Sequence, residues 1–88
     1  MYKLEYADKT TDDAAFWGIT PNGRTLMIIM QNKSFSEMAE LFSNTEKTKS
    51  MKVYKNDELI DEKSGYTKMI RLVYEPNGIR VVLNKEDL

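Results

Sequence analysis

Carboxylates are the reactive groups that this chain holds in number. They fall in adjacent pairs at Asp12-Asp13, Asp57-Glu58, Asp61-Glu62 and Glu86-Asp87. Paired carboxylates suit two chemistries. Glycoside hydrolysis sets one carboxyl group on each side of a cleft, and hard cations take several oxygens at a fixed spacing. Neither pattern is met. Neighbours in a loop, in a turn or on an exposed strand do not face each other across a cleft, and EF-hand spacing is absent. The chain has no histidine and no cysteine. That removes Ser-His and Cys-His nucleophile pairs, the side chains of nearly all structural zinc sites, and any disulfide. The four glycines are scattered, so no loop is built to cradle phosphate. The residues point away from an enzyme, and no metal or cofactor is expected.

What remains is surface chemistry. Asp57, Glu58, Asp61 and Glu62 make a candidate charged contact face for a basic partner. Lys47, Lys49, Lys52 and Lys55 cluster near Tyr54, with Arg71 and Arg80 on neighbouring strands, an arrangement that can grip single-stranded nucleic acid. The acidic residues on the paired strand oppose it. Charged residues make up 31% of the 88 and nearly cancel to a net charge of -1, without the basic excess that nucleic-acid binding relies on. Nucleic acid is therefore the disfavoured partner. Trp17 serves either the core or an interface, where tryptophan is enriched at hot spots.

These residues must be positioned by a small α+β domain spanning 1–88. Tyr2, Leu4 and Tyr6 alternate with Lys3 and Glu5, the period of a half-buried strand. Residues 7–13 read as a polar loop. Residues 14–20 and 25–30 flank Pro21-Asn22-Gly23 and form a hairpin, with glycine in the left-handed region. Ser34 and Glu37 form a capping box that opens a short helix over about 35–43, with Phe35, Met38 and Phe42 on its inward face. Residues 44–50 read as a loop. A meander follows: 51–55, a corner at Asn56-Asp57, 58–63, then 67–75, Pro76-Asn77-Gly78 and 79–85. The expected architecture is a mostly antiparallel, strongly curled sheet of about five or six strands with one short helix.

The last hairpin sets two rules against each other. Turn chemistry favours a three-residue loop, with Glu75 opposite Ile79 and Tyr74 opposite Arg80. The apolar pattern favours Tyr74 with Ile79, Leu72 with Val81 and Ile70 with Leu83, and a one-residue slip exchanges the faces. The pre-proline restriction on Glu75 tips the expectation toward turn chemistry. Both faces of that hairpin then become mixed. Met27-Ile28-Ile29-Met30 is likewise apolar on both faces, and one short helix covers a single face. The sheet must close on itself or be buried against another chain. Met27 and Ile29, with Trp17, are the candidate interface residues, and a homo-oligomer is the natural consequence.

The start of the chain alternates polar and apolar residues and does not read as a signal peptide. No run approaches the ~20 apolar residues of a membrane helix, so no membrane partner is expected. The lack of cysteine fits a reducing cytoplasm.

The segment Ser34 to Asn44, the strand Met51-Lys52-Val53-Tyr54 and the corner Gly65-Tyr66-Thr67-Lys68 resemble small uncharacterised proteins of Gram-positive bacterial phages and prophages. The resemblance covers about the C-terminal two-thirds and carries no catalytic motif. It implies a phage structural or accessory protein, in the host cytoplasm or the virion. The expected function is a non-enzymatic protein-interaction or assembly module. The alternative is a small phage-encoded inhibitor or regulator that binds a host protein, with nucleic-acid binding a distant third.

Overall fold

Alternating apolar residues form strands wherever one side of the backbone can be buried, and this chain has many such stretches. In the computed structural model, which describes residues 1–86, they become β1 (Tyr2–Tyr6), β2 (Thr11–Ile19), β3 (Thr25–Met30), β4 (Ser50–Lys55), β5 (Glu58–Ser64), β6 (Lys68–Glu75) and β7 (Gly78–Asn84). Two helices, α1 (Phe35–Ser43) and α2 (Thr45–Thr48), join β3 to β4. The strands form one antiparallel sheet in the order β5-β4-β1-β2-β3-β7-β6. The α+β class holds, but the count of five or six strands and one helix is corrected to seven and two among the described residues.

The strongly curled sheet that closes on itself is corrected too. The sheet is open, with β5 and β6 as unpaired edges. These edges are joined by residues 65–67. Four backbone steps reach about 14 Å, whereas six spacings of a flat sheet span about 29 Å. The sheet bends where the link crosses, but its edges stay unpaired. Tyr66, buried in this link, donates its hydroxyl to the Gly23 carbonyl and joins the core.

The core lies on the helix side of the sheet. Leu4 and Tyr6 of β1, Leu26, Ile28 and Met30 of β3, Met51 and Val53 of β4, and Ile79, Val81 and Leu83 of β7 are buried together with Met38 and Phe42 of α1. Each such side chain contributes about 1.5–3 kcal/mol by leaving water. α1 starts as expected: Ser34 Oγ accepts from the Glu37 amide at 3.1 Å, and the Ser34 amide donates to Glu37 Oε1 at 2.8 Å. Asn44 ends α1, and its side chain accepts from the Lys47 amide to start α2. Residues 44–50, expected as a loop, thus hold a one-turn helix too short to show a periodicity.

Two hairpins depart from expectation. β2 begins at Thr11, so Thr11, Asp12 and Asp13 are strand and the first turn is confined to 7–10. In the last hairpin the apolar pattern wins: Tyr74 faces Ile79, Leu72 faces Val81 and Glu75 faces Gly78. Turn chemistry loses because its register would exchange the buried and exposed residues of a whole strand. The third apolar pair differs as well, since a bulge at Ile70 sets Met69 opposite Leu83. Gly78 has φ +149°, and a Cβ there would overlap the Met30 carbonyl oxygen.

Candidate interaction surface

Because side chains alternate along a strand, a core on one face fixes what the other face shows. Opposite the core, β3 presents Met27 and Ile29, β7 presents Arg80 and Val82, and β6 presents Arg71 and Val73. β2 adds Phe16, which faces Ile29 in the ladder. Its ring folds back over Gly18, where a Cβ would lie 2.8 Å from the ring. Ile70 bulges from the β6 edge and is 51% exposed. Met27 and Val82 are half-buried, and Phe16 and Val73 are exposed. Neither helix lies on this outer face, since α1 packs its buried Met38 and Phe42 into the opposite cluster.

Arg80 sits among these apolar groups. Its Nε is 2.8 Å from Glu75 Oε1, and its Nη1 is 3.7 Å from Met27 Sδ. The Nε atom is buried, and the Glu75 carboxylate balances its charge. With Arg71 nearby, the patch carries two guanidinium groups and one carboxylate in an apolar frame.

The structure brings Met27 and Ile29 together on this outer face. Ile29 is 4% exposed, covered within the chain itself. Trp17 lies on the other face, half-buried against the core. Its indole Nε1 donates to Asp61 Oδ2 at 2.7 Å. Asp61 Oδ1 accepts from the Glu62 amide at 2.8 Å and lies 3.2 Å from Lys63 Nζ. Burial alone would raise the Asp61 pKa. The hydrogen bonds from Trp17, Lys63 and the Glu62 amide outweigh it and hold the carboxyl below its ordinary value. The four acidic candidates therefore divide. Asp61 is engaged toward the core side, Glu62 points the other way opposite Lys52, and Asp57 and Glu58 sit at the β4–β5 turn. That turn has positive φ at Asn56 and Asp57, the requirement of a tight two-residue hairpin.

The basic cluster disperses as well. Lys47 lies over the Tyr6 ring and Lys55 over the Tyr2 ring, while Lys49 pairs with Glu46. A polar group closes the rim of the core by α1: Tyr6 donates to Asp12 Oδ2 at 2.8 Å, and Lys33 Nζ is 3.1 Å from Asp12 Oδ1. Burial, reinforced by Asp12, pushes the Tyr6 hydroxyl far above its ordinary pKa. Asp12 and Asp13 point to opposite faces, and Asp87 lies outside the described residues. Among the described residues, no group of three or more acidic side chains is placed to hold a metal ion, and no helix is long and apolar enough to cross a membrane.

Sequence reasoning missed Phe16, Ile70, Val73 and Val82. Ile70, Val73 and Val82 became visible once the β6–β7 register was fixed, because Ile79, Val81 and Leu83 facing the core send Arg80 and Val82 outward, and Phe16 once the β2–β3 register was. Comparison with known proteins finds no matching family model, no similar curated protein and no similar solved structure.

Proposed function

We propose that this chain is a non-enzymatic protein-interaction module that self-associates through the outer face of β2, β3, β7 and β6. One observation carries the reading: Phe16, Met27, Val82, Val73 and Ile70 gather on a face that no helix covers. Apolar side chains gathered into one exposed patch mark interaction sites. The sheet edges are a poorer route. β5 carries an unpaired residue at Ile60 and β6 one at Ile70, and such bulges interrupt the ladder that edge-to-edge pairing extends. The resemblance to small prophage proteins fits a structural or accessory role in a phage. Inhibition of a basic host protein through the acidic residues is less well supported, because Asp61 is already held by Trp17 and Lys63.

The test is light scattering across a concentration series. The expected mass lies above the 10.3 kDa of one chain and rises with concentration. A mass of 10.3 kDa throughout overturns the reading.

A further inference from the structure

We propose that the β5 strand of one copy docks on the Arg71–Arg80 face of another. This rests on the self-association proposed above and names the surface that the outer face meets.

The two surfaces match in chemistry. Along β5 and its turn, Glu62 and Leu59 share the outer face, with Ile60 at the bulge and Asp57 at the turn; Leu59 and Ile60 are 48% and 47% exposed. Exposed leucine and isoleucine within an acidic run are costly on an edge strand that meets only water. The outer face at the other end of the strand order is the complement. There Met27, Val82, Val73 and Ile70 frame Arg71 and Arg80, with Glu75 as the one carboxylate in the patch. Arg80 Nε is held 2.8 Å from Glu75 Oε1, whereas the Arg71 side chain is exposed. A guanidinium pairs with a carboxylate through parallel hydrogen bonds, and the exposed Arg71 guanidinium is accessible to an incoming glutamate. Leu59 and Ile60 would cover the apolar frame. Lys52 and Lys55 face Glu62 and Glu58 across the hairpin, but they lie one strand inward, so the edge itself keeps its acidic character.

Each copy carries both surfaces. Contacts form reciprocally in a closed pair or head to tail in a larger assembly, and in either case every contact sets an acidic strand on an arginine face.

A charge exchange tests this. Arg71→Glu makes the face acidic, and Glu62→Lys makes the strand more basic. Both side chains are exposed, and circular dichroism checks that each variant folds. Each variant alone is expected to associate about tenfold more weakly than the wild type. An equimolar mixture should recover association, because the lysine strand of one variant meets the glutamate face of the other and the second contact remains native. Undiminished association of either variant, or no recovery in the mixture, overturns this docking while leaving self-association standing. A monomeric wild type overturns both. Should a variant misfold, a salt series on the wild type decides: screening weakens an acid-on-arginine contact, and association that does not fall as salt rises overturns the docking.

Discussion

Trp17 is the residue whose role changes most between sequence and structure. Its position beside Phe16 left core and interface open. Adjacent strand residues take opposite faces, and the β2 bulge between Ala14 and Phe16 sets Trp17, not Phe16, on the core side. The Trp17–Asp61 hydrogen bond links strands separated in the sheet by β1 and β4, so it ties the β5 edge to the core side. Trp17→Phe should cost about 1–2 kcal/mol, the net worth of a part-exposed hydrogen bond to a charged group, read from urea denaturation. The bond also sets a pH dependence. The Asp61 pKa is lowered on folding, so its stabilisation is complete above the unfolded value of about 3.9 and is lost as pH falls through the lower folded value. Fluorescence of the single tryptophan should report this step with a midpoint below about 3.9. The step should vanish in Asp61→Asn. Two glycines that look alike in sequence should also separate. Gly23, with φ +72° and open space around it, should lose about 1 kcal/mol on change to alanine, the cost of a left-handed non-glycine residue. Gly78→Ala drives a Cβ into the Met30 carbonyl and should cost on the order of 3 kcal/mol or more. Equal losses in the two variants would contradict this reading of the hairpins.

The elements most legible in the sequence are those specified locally. The capping box fixed α1, and alternation fixed β1 and β7, because one short stretch carries the whole signal in each case. Ser34→Ala should destabilise the fold by about 1 kcal/mol. Phe42→Ala, which empties a fully buried site beneath α1, should cost about 3–5 kcal/mol. Thermal denaturation ranks the two, and a larger effect at Ser34 would contradict the view that packing, more than capping, holds so short a helix. What stayed hidden depends on partners distant in sequence. Pro-Asn-Gly occurs twice and makes two different turns: Gly23 takes the left-handed conformation, whereas Gly78 is already paired in β7. The second is decided by burial of Ile79, Val81 and Leu83, which no four-residue window contains. The bulges at Ile60 and Ile70 are similarly invisible, since they come from fitting a strand to its neighbour. The candidate site was legible in fragments for the same reason. Met27 and Ile29 were read from a run that is apolar on both faces, but Phe16, Val73 and Val82 join them only through the register.

At the scale of the whole molecule, the sheet has one face packed and one face bare. Residues 65–67 carry the chain from one edge to the other and seat Tyr66 in the core, while α1 and α2 cover part of the same side. Among the described residues neither helix lies on the outer face, where Phe16, Val73 and Ile70 remain exposed. The central claim is that this face is completed by another copy. The most direct test compares the wild type with Ile70→Asp by light scattering and thermal denaturation at the same concentrations. Ile70 bulges into solvent at the sheet edge, so the change should leave a cooperative melting transition, lowered by no more than the loss of association explains. The wild type should exceed the 10.3 kDa of one chain while Ile70→Asp falls back to it, folded. Equal masses for the two proteins, whether monomeric or associated, would contradict it.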